Sequence, residues 1–155
     1  MKKYAHKIGA IFYVLWGILH VIGGSAILTA ESASAQLAMF GTAVPAEQLP
    51  PNPGEIVHAG LSFHAFNLAW LGILTLLVGV FLNWKNSRLG YWLNLGVVGA
   101  ADIGLFIFLI IPGYMALADG FPGPLLWVLA LVFSTIGLLQ NKGKAVLTRA
   151  EKALR

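Results

Sequence analysis

The sequence predicts an all-α integral membrane protein that folds as a bundle of four transmembrane helices. Of the 155 residues, 58% are hydrophobic and 10% are charged, whereas about 25% of the residues in a soluble domain are charged. Three apolar runs exceed the roughly 20 residues that a helix needs to cross a bilayer, and a fourth approaches that length. The runs lack the alternation of strands, and a bilayer admits only helices and closed barrels.

The four runs set the element boundaries. We predict helices at 8–28, 56–82, 89–111 and 124–140, which together form a single membrane domain over 1–155. The first run follows a basic start and precedes Ala33-Ser34-Ala35, as in a signal peptide. Its apolar stretch is about twice the length of a typical h-region. We therefore expect it to be a retained transmembrane helix.

The lysines and arginines predict the orientation. All ten lie before the first helix, between the second and third, or after the fourth. The other two loops hold only acidic charges, at Glu31, Glu47, Glu55 and Asp119. Basic residues favour the cytoplasmic side, so we expect both termini inside (N-in/C-in), in a bacterial inner (plasma) membrane. Topology thus explains the net charge of +4, and no nucleic-acid partner is expected.

Two segments outside the membrane runs have distinct compositions. The first outer loop, 30–55, is long, and its four prolines predict an extended second half. Loops of this length are often lids or binding elements. The tail, 142–155, is basic with interspersed apolar residues, which predicts a helix lying on the anionic inner surface.

Three ionisable residues inside the apolar runs are the best candidates for a site. His20, His64 and Asp102 belong to three different helices and lie roughly 9–14 Å below the outer helix ends, at 1.5 Å per residue. Titratable groups are costly in hydrocarbon and usually mark a site or a pathway. Their shared depth predicts a polar pocket in the outer half of the bundle.

Further residues are expected around this pocket. Glu55 and His58 are three residues apart at the outer end of the second helix, so both can address one ion. Together with Tyr114 of the second outer loop, they are predicted to line the mouth. From depth and helical facing, the supporting ring is predicted to consist of Asn67, Ser134, Thr135 and Trp16.

A bound metal ion or b-type haem is the function we favour from these residues. Neutral imidazole is the commonest metal ligand, and His with carboxylate suits iron, copper or zinc. The predicted ligands are His20, His64 and Asp102, and two His on facing helices can also ligate haem b. The chain has no cysteine, which excludes thiolate ligands and disulfides.

Other functions fit the same residues. His and Asp are the usual relay groups of a proton-coupled small transporter. A membrane enzyme acting on a lipid or quinone would use His20 or His64 as base and Asp102 as orienter. The third helix also carries Gly96, Ala100 and Gly104, a small-residue stripe suited to a homodimer or to an accessory subunit of a larger complex. In a purely structural role, the polar residues would only join the helices.

Overall fold

Four long apolar helices make up most of the protein, each able by length and composition to cross a membrane. The computed structural model describes residues 4–153, with side chains for 4–140. The long helices are α1 (Ala5–Leu28), α3 (Glu55–Phe81), α4 (Arg88–Leu105) and α6 (Pro122–Ala153). Two short helices, α2 (Ala33–Phe40) and α5 (Leu117–Gly120), lie in the loops at one end, called here the outer end. The prediction of an all-α protein with four apolar helices is confirmed.

Two boundaries differ from those predicted. The third predicted helix is divided, because α4 passes at Phe106–Ile110 into a π-helical turn. The fourth extends from Pro122 to Ala153, so residues 142–153 continue α6 and do not start a separate surface helix. The segment 141–153 contains no proline and is rich in Lys and Ala, which sustain a helix. Lys2, Lys3 and Arg155 lie outside the described residues.

The helix α1 packs closely against both α3 and α6. A Cβ atom added to Gly17 would lie 2.7 Å from the carbonyl oxygen of Gly72 on α3, and the reverse substitution gives the same distance. On the other side of α1, a Cβ at Gly9 would lie 2.9 Å from the carbonyl oxygen of Ala130 on α6. Small residues permit such close backbone contact between membrane helices. These contacts fix the position of α1 between its two neighbours.

The helices α3 and α4 are tied together near the opposite, inner end. A short 3₁₀ turn, Asn83–Lys85, joins them. The Asn94 side chain donates to Asn83 Oδ1 at 3.0 Å and to the Thr75 carbonyl oxygen at 3.4 Å. Farther out, no hydrogen bond joins the described residues of α3 and α4. The two helices form opposite walls of a cavity there.

The small-residue stripe on α4 is not used for packing inside the chain. Among the described residues, a Cβ added to Gly96 or Gly104 meets no atom within 4 Å. Ala100 between them is exposed. Other glycines are closely packed instead, among them Gly17 of α1 and Gly72 of α3, and contact of the stripe with a partner stays a prediction.

Candidate functional site

A cavity of about 750 Å³ lies at the outer end of the bundle, between α1, α3 and α4. Most of its lining is aliphatic or aromatic. His20, His64 and Asp102 all line it, although they come from three helices, and Asn67 lines it as well. The residues singled out by their depth in the sequence therefore share one space in the structure.

Asp102 lines this cavity and is only 1% exposed. Its two carboxylate oxygens both accept from the indole N–H of Trp16, at 3.2 and 3.1 Å. An indole has a single hydrogen to donate, whereas an ionised carboxylate has about four acceptor positions. Asp102 therefore retains the capacity to accept from a further donor.

His20 adjoins the same indole. Its ring stacks on Trp16 with centroids 3.5 Å apart and an interplanar angle of 18°. Its Nδ1 lies 2.8 Å from the Trp16 carbonyl oxygen, one turn earlier in α1. Because a carbonyl oxygen only accepts, Nδ1 carries the hydrogen, an assignment made from the hydrogen bond. In the neutral ring, Nε2 is then left as an acceptor.

The start of α6 completes this cluster. A Cβ at Gly123 would lie 3.2 Å from His20 Cε1 and 3.3 Å from Asp102 Oδ1. Helix N-termini carry partial positive charge, so the first turn of α6 stabilises the nearby carboxylate. Gly123 is not among the residues predicted from the sequence. The sequence feature that could have indicated it is Pro122, because proline is over-represented at the first position of a helix.

The structure places Ser134 and Thr135 away from this cluster. Ser134 is about 16 Å farther along α6 than Gly123, at 1.5 Å per residue, and it packs against Gly9. Thr135 Oγ1 lies 3.1 Å from the hydroxyl of Tyr91, near the start of α4. The expected depth differs because α6 begins at the level of His20 and Asp102, and not at the outer end of the bundle.

The short helix α2 covers part of the cavity. Phe40, at its end, lines the cavity and meets the His64 ring edge-on, with centroids 5.3 Å apart. Gln36 anchors α2: this fully buried side chain donates to the Ile27 carbonyl oxygen and to Ser62 Oγ, both at 3.0 Å. The first outer loop therefore provides a cover above His64, held by the Gln36 hydrogen bonds.

The residues predicted for the mouth of the pocket do not line the cavity. Glu55, His58 and Tyr114 are not among the lining residues, whereas Asp119 of α5 is. The Tyr114 carbonyl oxygen accepts from the backbone N–H of Ala43 at 3.0 Å, which joins the two outer loops. A role for these three residues in ligand entry stays a prediction.

Part of the cavity wall on the α4 side is open. Gly104 lines the cavity, yet no described atom lies within 4 Å of a Cβ added there. Phe108 also lines it and is 71% exposed. Beyond the Asn94 hydrogen bonds near the inner end, no hydrogen bond between described residues closes this gap between α3 and α4.

The cavity does not contain an evident metal site. Within the part of the chain that the structure describes, no group of three or more His, Asp or Glu side chains is placed to hold a metal ion. His20, His64 and Asp102 line the same space without converging on one point.

Comparisons with known proteins identify no family for this chain. No family model, curated protein or solved structure matches it. A functional conclusion therefore depends on the cavity and on the groups that line it.

Proposed function

We propose that the protein binds a small amphiphilic molecule that enters the cavity from the bilayer. The observation that carries this proposal is the cavity itself: about 750 Å³ with mainly apolar walls, and with His20 and Asp102 in its lining, both beside Gly123. Ligand pockets typically measure roughly 300 to 1,000 Å³ and combine apolar walls with a few polar groups. Titratable groups within a membrane protein are functional candidates by default.

A purely structural role explains less of the geometry. Hydrogen bonding that joins two helices accounts for the contact from Trp16 to Asp102. It does not account for a large space beside that bond, because protein interiors are normally close-packed. Gly23 and Gly104 both line the space, and neither backbone has described atoms packed over it. The arrangement is that of a ligand site with small residues on its walls.

The gap between α3 and α4 supports access through the membrane. An apolar molecule is concentrated in the bilayer and reaches a lateral opening without crossing water. Its body would lie against Leu68, Leu71 and Leu105, which line the walls. Its polar end would reach His20 and Asp102.

Two matched variants of α4 test this proposal. Gly104→Trp inserts an indole into the cavity, whereas Gly96→Trp adds the same group to the same helix outside the lining. Both variants alter the small-residue stripe, so loss of a dimer contact would affect both. Protein extracted in polymer-bounded native nanodiscs is analysed by native mass spectrometry for bound small molecules. We expect an enriched species in the wild type and in Gly96→Trp, and its loss in Gly104→Trp. The same content in both variants, or no enriched species in the wild type, contradicts the proposal.

A b-type haem is the second candidate, and one contact favours it. Histidines that bind metals usually donate their other ring N–H to a carbonyl or carboxylate, as His20 Nδ1 does at 2.8 Å from the Trp16 carbonyl oxygen. Haem needs only one or two axial ligands, whereas a bare iron, copper or zinc ion needs a converging group. Metal content and the absorption spectrum of the purified protein, compared with those of His20→Ala, test this candidate.

The predicted orientation belongs to the same proposal. Lys7 lies at the inner end, where its ammonium is 5.2 Å from the ring centre of Trp84. Basic and aromatic residues together are typical of a membrane interface. With both termini inside a bacterial inner membrane, the cavity would face the outer leaflet. Transport would require the inner end to open as well, and membership of a complex would involve the stripe at Gly96.

A further inference from the structure

We propose that the ligand of this cavity is a lipophilic amine, whose charged N–H group lies between His20 and Asp102; this inference rests on the proposed binding function. Three features of the cavity carry it: the acceptor on His20, the unfilled acceptor capacity of Asp102, and the charge of the lining. Each limits the chemistry of the head group.

The first feature is the orientation of the His20 ring. Its Nδ1 donates to the Trp16 carbonyl oxygen at 2.8 Å, so the neutral ring offers the lone pair of Nε2. The ring lines the cavity, and stacking on Trp16 holds it in place. A ligand that meets Nε2 must therefore bring a donor.

The second feature is the carboxylate of Asp102. Among the described residues, the indole N–H of Trp16 is the sole side-chain donor to it. A buried carboxylate that stays ionised is paired or well hydrogen-bonded. A donor that also carries a positive charge fills this need better than a neutral one, because hydrogen bonds between charged groups are the stronger ones.

The third feature is the overall charge of the lining. Two carboxylates, Asp102 and Asp119, line the cavity, and none of the described lysines or arginines does. His64 accepts or donates according to its tautomer and so does not select a head group. Fatty acids, phosphates and quinone carbonyls would place further acceptors against His20 and Asp102. An ammonium group complements both residues.

Four molecules that share a dodecyl chain and differ in their head group test the inference. Dodecylamine has charge and N–H, dodecanol has a neutral O–H, dodecyltrimethylammonium has charge without N–H, and dodecanoate has negative charge. Binding to protein in lipid nanodiscs is measured by calorimetry, and Gly104→Trp nanodiscs give the contribution of the bilayer. We expect dodecylamine to bind most tightly, by about tenfold or more over dodecanoate. The alcohol and the trimethylammonium should lie between them.

Variants locate the head group. Asp102→Asn should reduce the affinity for dodecylamine to about that for dodecanol, with the affinity for dodecanol retained. Glu31→Gln removes the same charge at an exposed position of the first outer loop, outside the lining, and should leave the order unchanged. If Asp102→Asn does not fold, His20→Phe keeps a ring on Trp16 and removes Nε2, and it should also reduce the preference for the amine.

The outcomes separate the two proposals. Saturable binding in which dodecanoate or the trimethylammonium equals the amine overturns the inference about the head group and leaves the cavity as a ligand site. The absence of saturable binding by all four molecules, relative to Gly104→Trp, overturns the amine inference. If the native nanodiscs also contain no enriched species, the proposed function fails as well.

Discussion

The inner and outer halves of the bundle use polar residues in opposite ways. At the inner end, side chains bond to the protein itself: Asn94 to Asn83 at 3.0 Å, and Asn86 to the Gly137 carbonyl oxygen at 2.9 Å. At the outer end, His20, His64 and Asp102 line an open space. Polar residues occur in both halves, so polar residues alone do not identify a site in a membrane bundle. The space beside them does.

The glycines of α1 provide the sharpest test of this contrast. Gly17→Leu places a side chain where even a Cβ would lie 2.7 Å from the Gly72 carbonyl oxygen. Overpacking costs about 1–3 kcal/mol at a side-chain contact and more where backbone must move. We expect a loss of more than about 3 kcal/mol, seen as a large drop in the thermal unfolding temperature in detergent or as failure to accumulate.

Gly23→Leu is the control on the same helix. Among the described residues, no atom lies within 4 Å of a Cβ at Gly23, and this residue lines the cavity. Its unfolding temperature should stay close to that of the wild type, while ligand binding decreases. Equal destabilisation by the two variants would show that the outer end is as closely packed as the centre.

Two asparagines, Asn94 on α4 and Asn67 on α3, are expected to have smaller effects on stability. Asn94→Leu removes the donor to Asn83 Oδ1 and leaves a buried acceptor without its partner. Such a change costs about 1–3 kcal/mol. Asn67→Leu removes a polar group that lines the cavity, so stability should be unchanged or raised and affinity for the amine lowered. Thermal unfolding and calorimetry on both variants separate the two roles, and a stability loss at Asn67 equal to that at Asn94 would contradict them.

Much of the fold follows from the sequence because it depends on local composition. The apolar runs identified α1, α3 and α4 and the membrane segment of α6, and depth along each run placed His20, His64 and Asp102 at a common level. These quantities need only the rise per residue and the cost of polar groups in lipid.

The remainder depends on how the helices are offset and rotated relative to one another. The contact between Trp16 and Asp102 requires α1 and α4 to face each other in the core, which periodicity within one helix does not specify. Gly123 reaches His20 because α5 and Pro122 start α6 deep in the bundle. The same offset moves Ser134 and Thr135 away from the site. The stripe at Gly96 was predicted from composition, yet the glycines that bring the helices into close contact are others, such as Gly17 on α1 and Gly72 on α3.

The cover formed by α2 gives the smallest expected effect, on rates more than on stability. Phe40 meets His64 edge-on at 5.3 Å, and Gln36 independently anchors the helix. An aromatic pair contributes about 0.5–1.5 kcal/mol, so Phe40→Ala should raise the dissociation rate of a bound amine by about two- to tenfold, with little change in unfolding temperature. Ile56→Ala, at an exposed position outside the lining, is the control for truncation at this end. Stopped-flow dilution of dodecylamine from nanodiscs measures the rate.

If Phe40→Ala leaves dissociation unchanged, α2 is a fixed wall and the ligand leaves only between α3 and α4. If it raises dissociation more than tenfold, α2 is the principal barrier, and the lateral gap is not the main route.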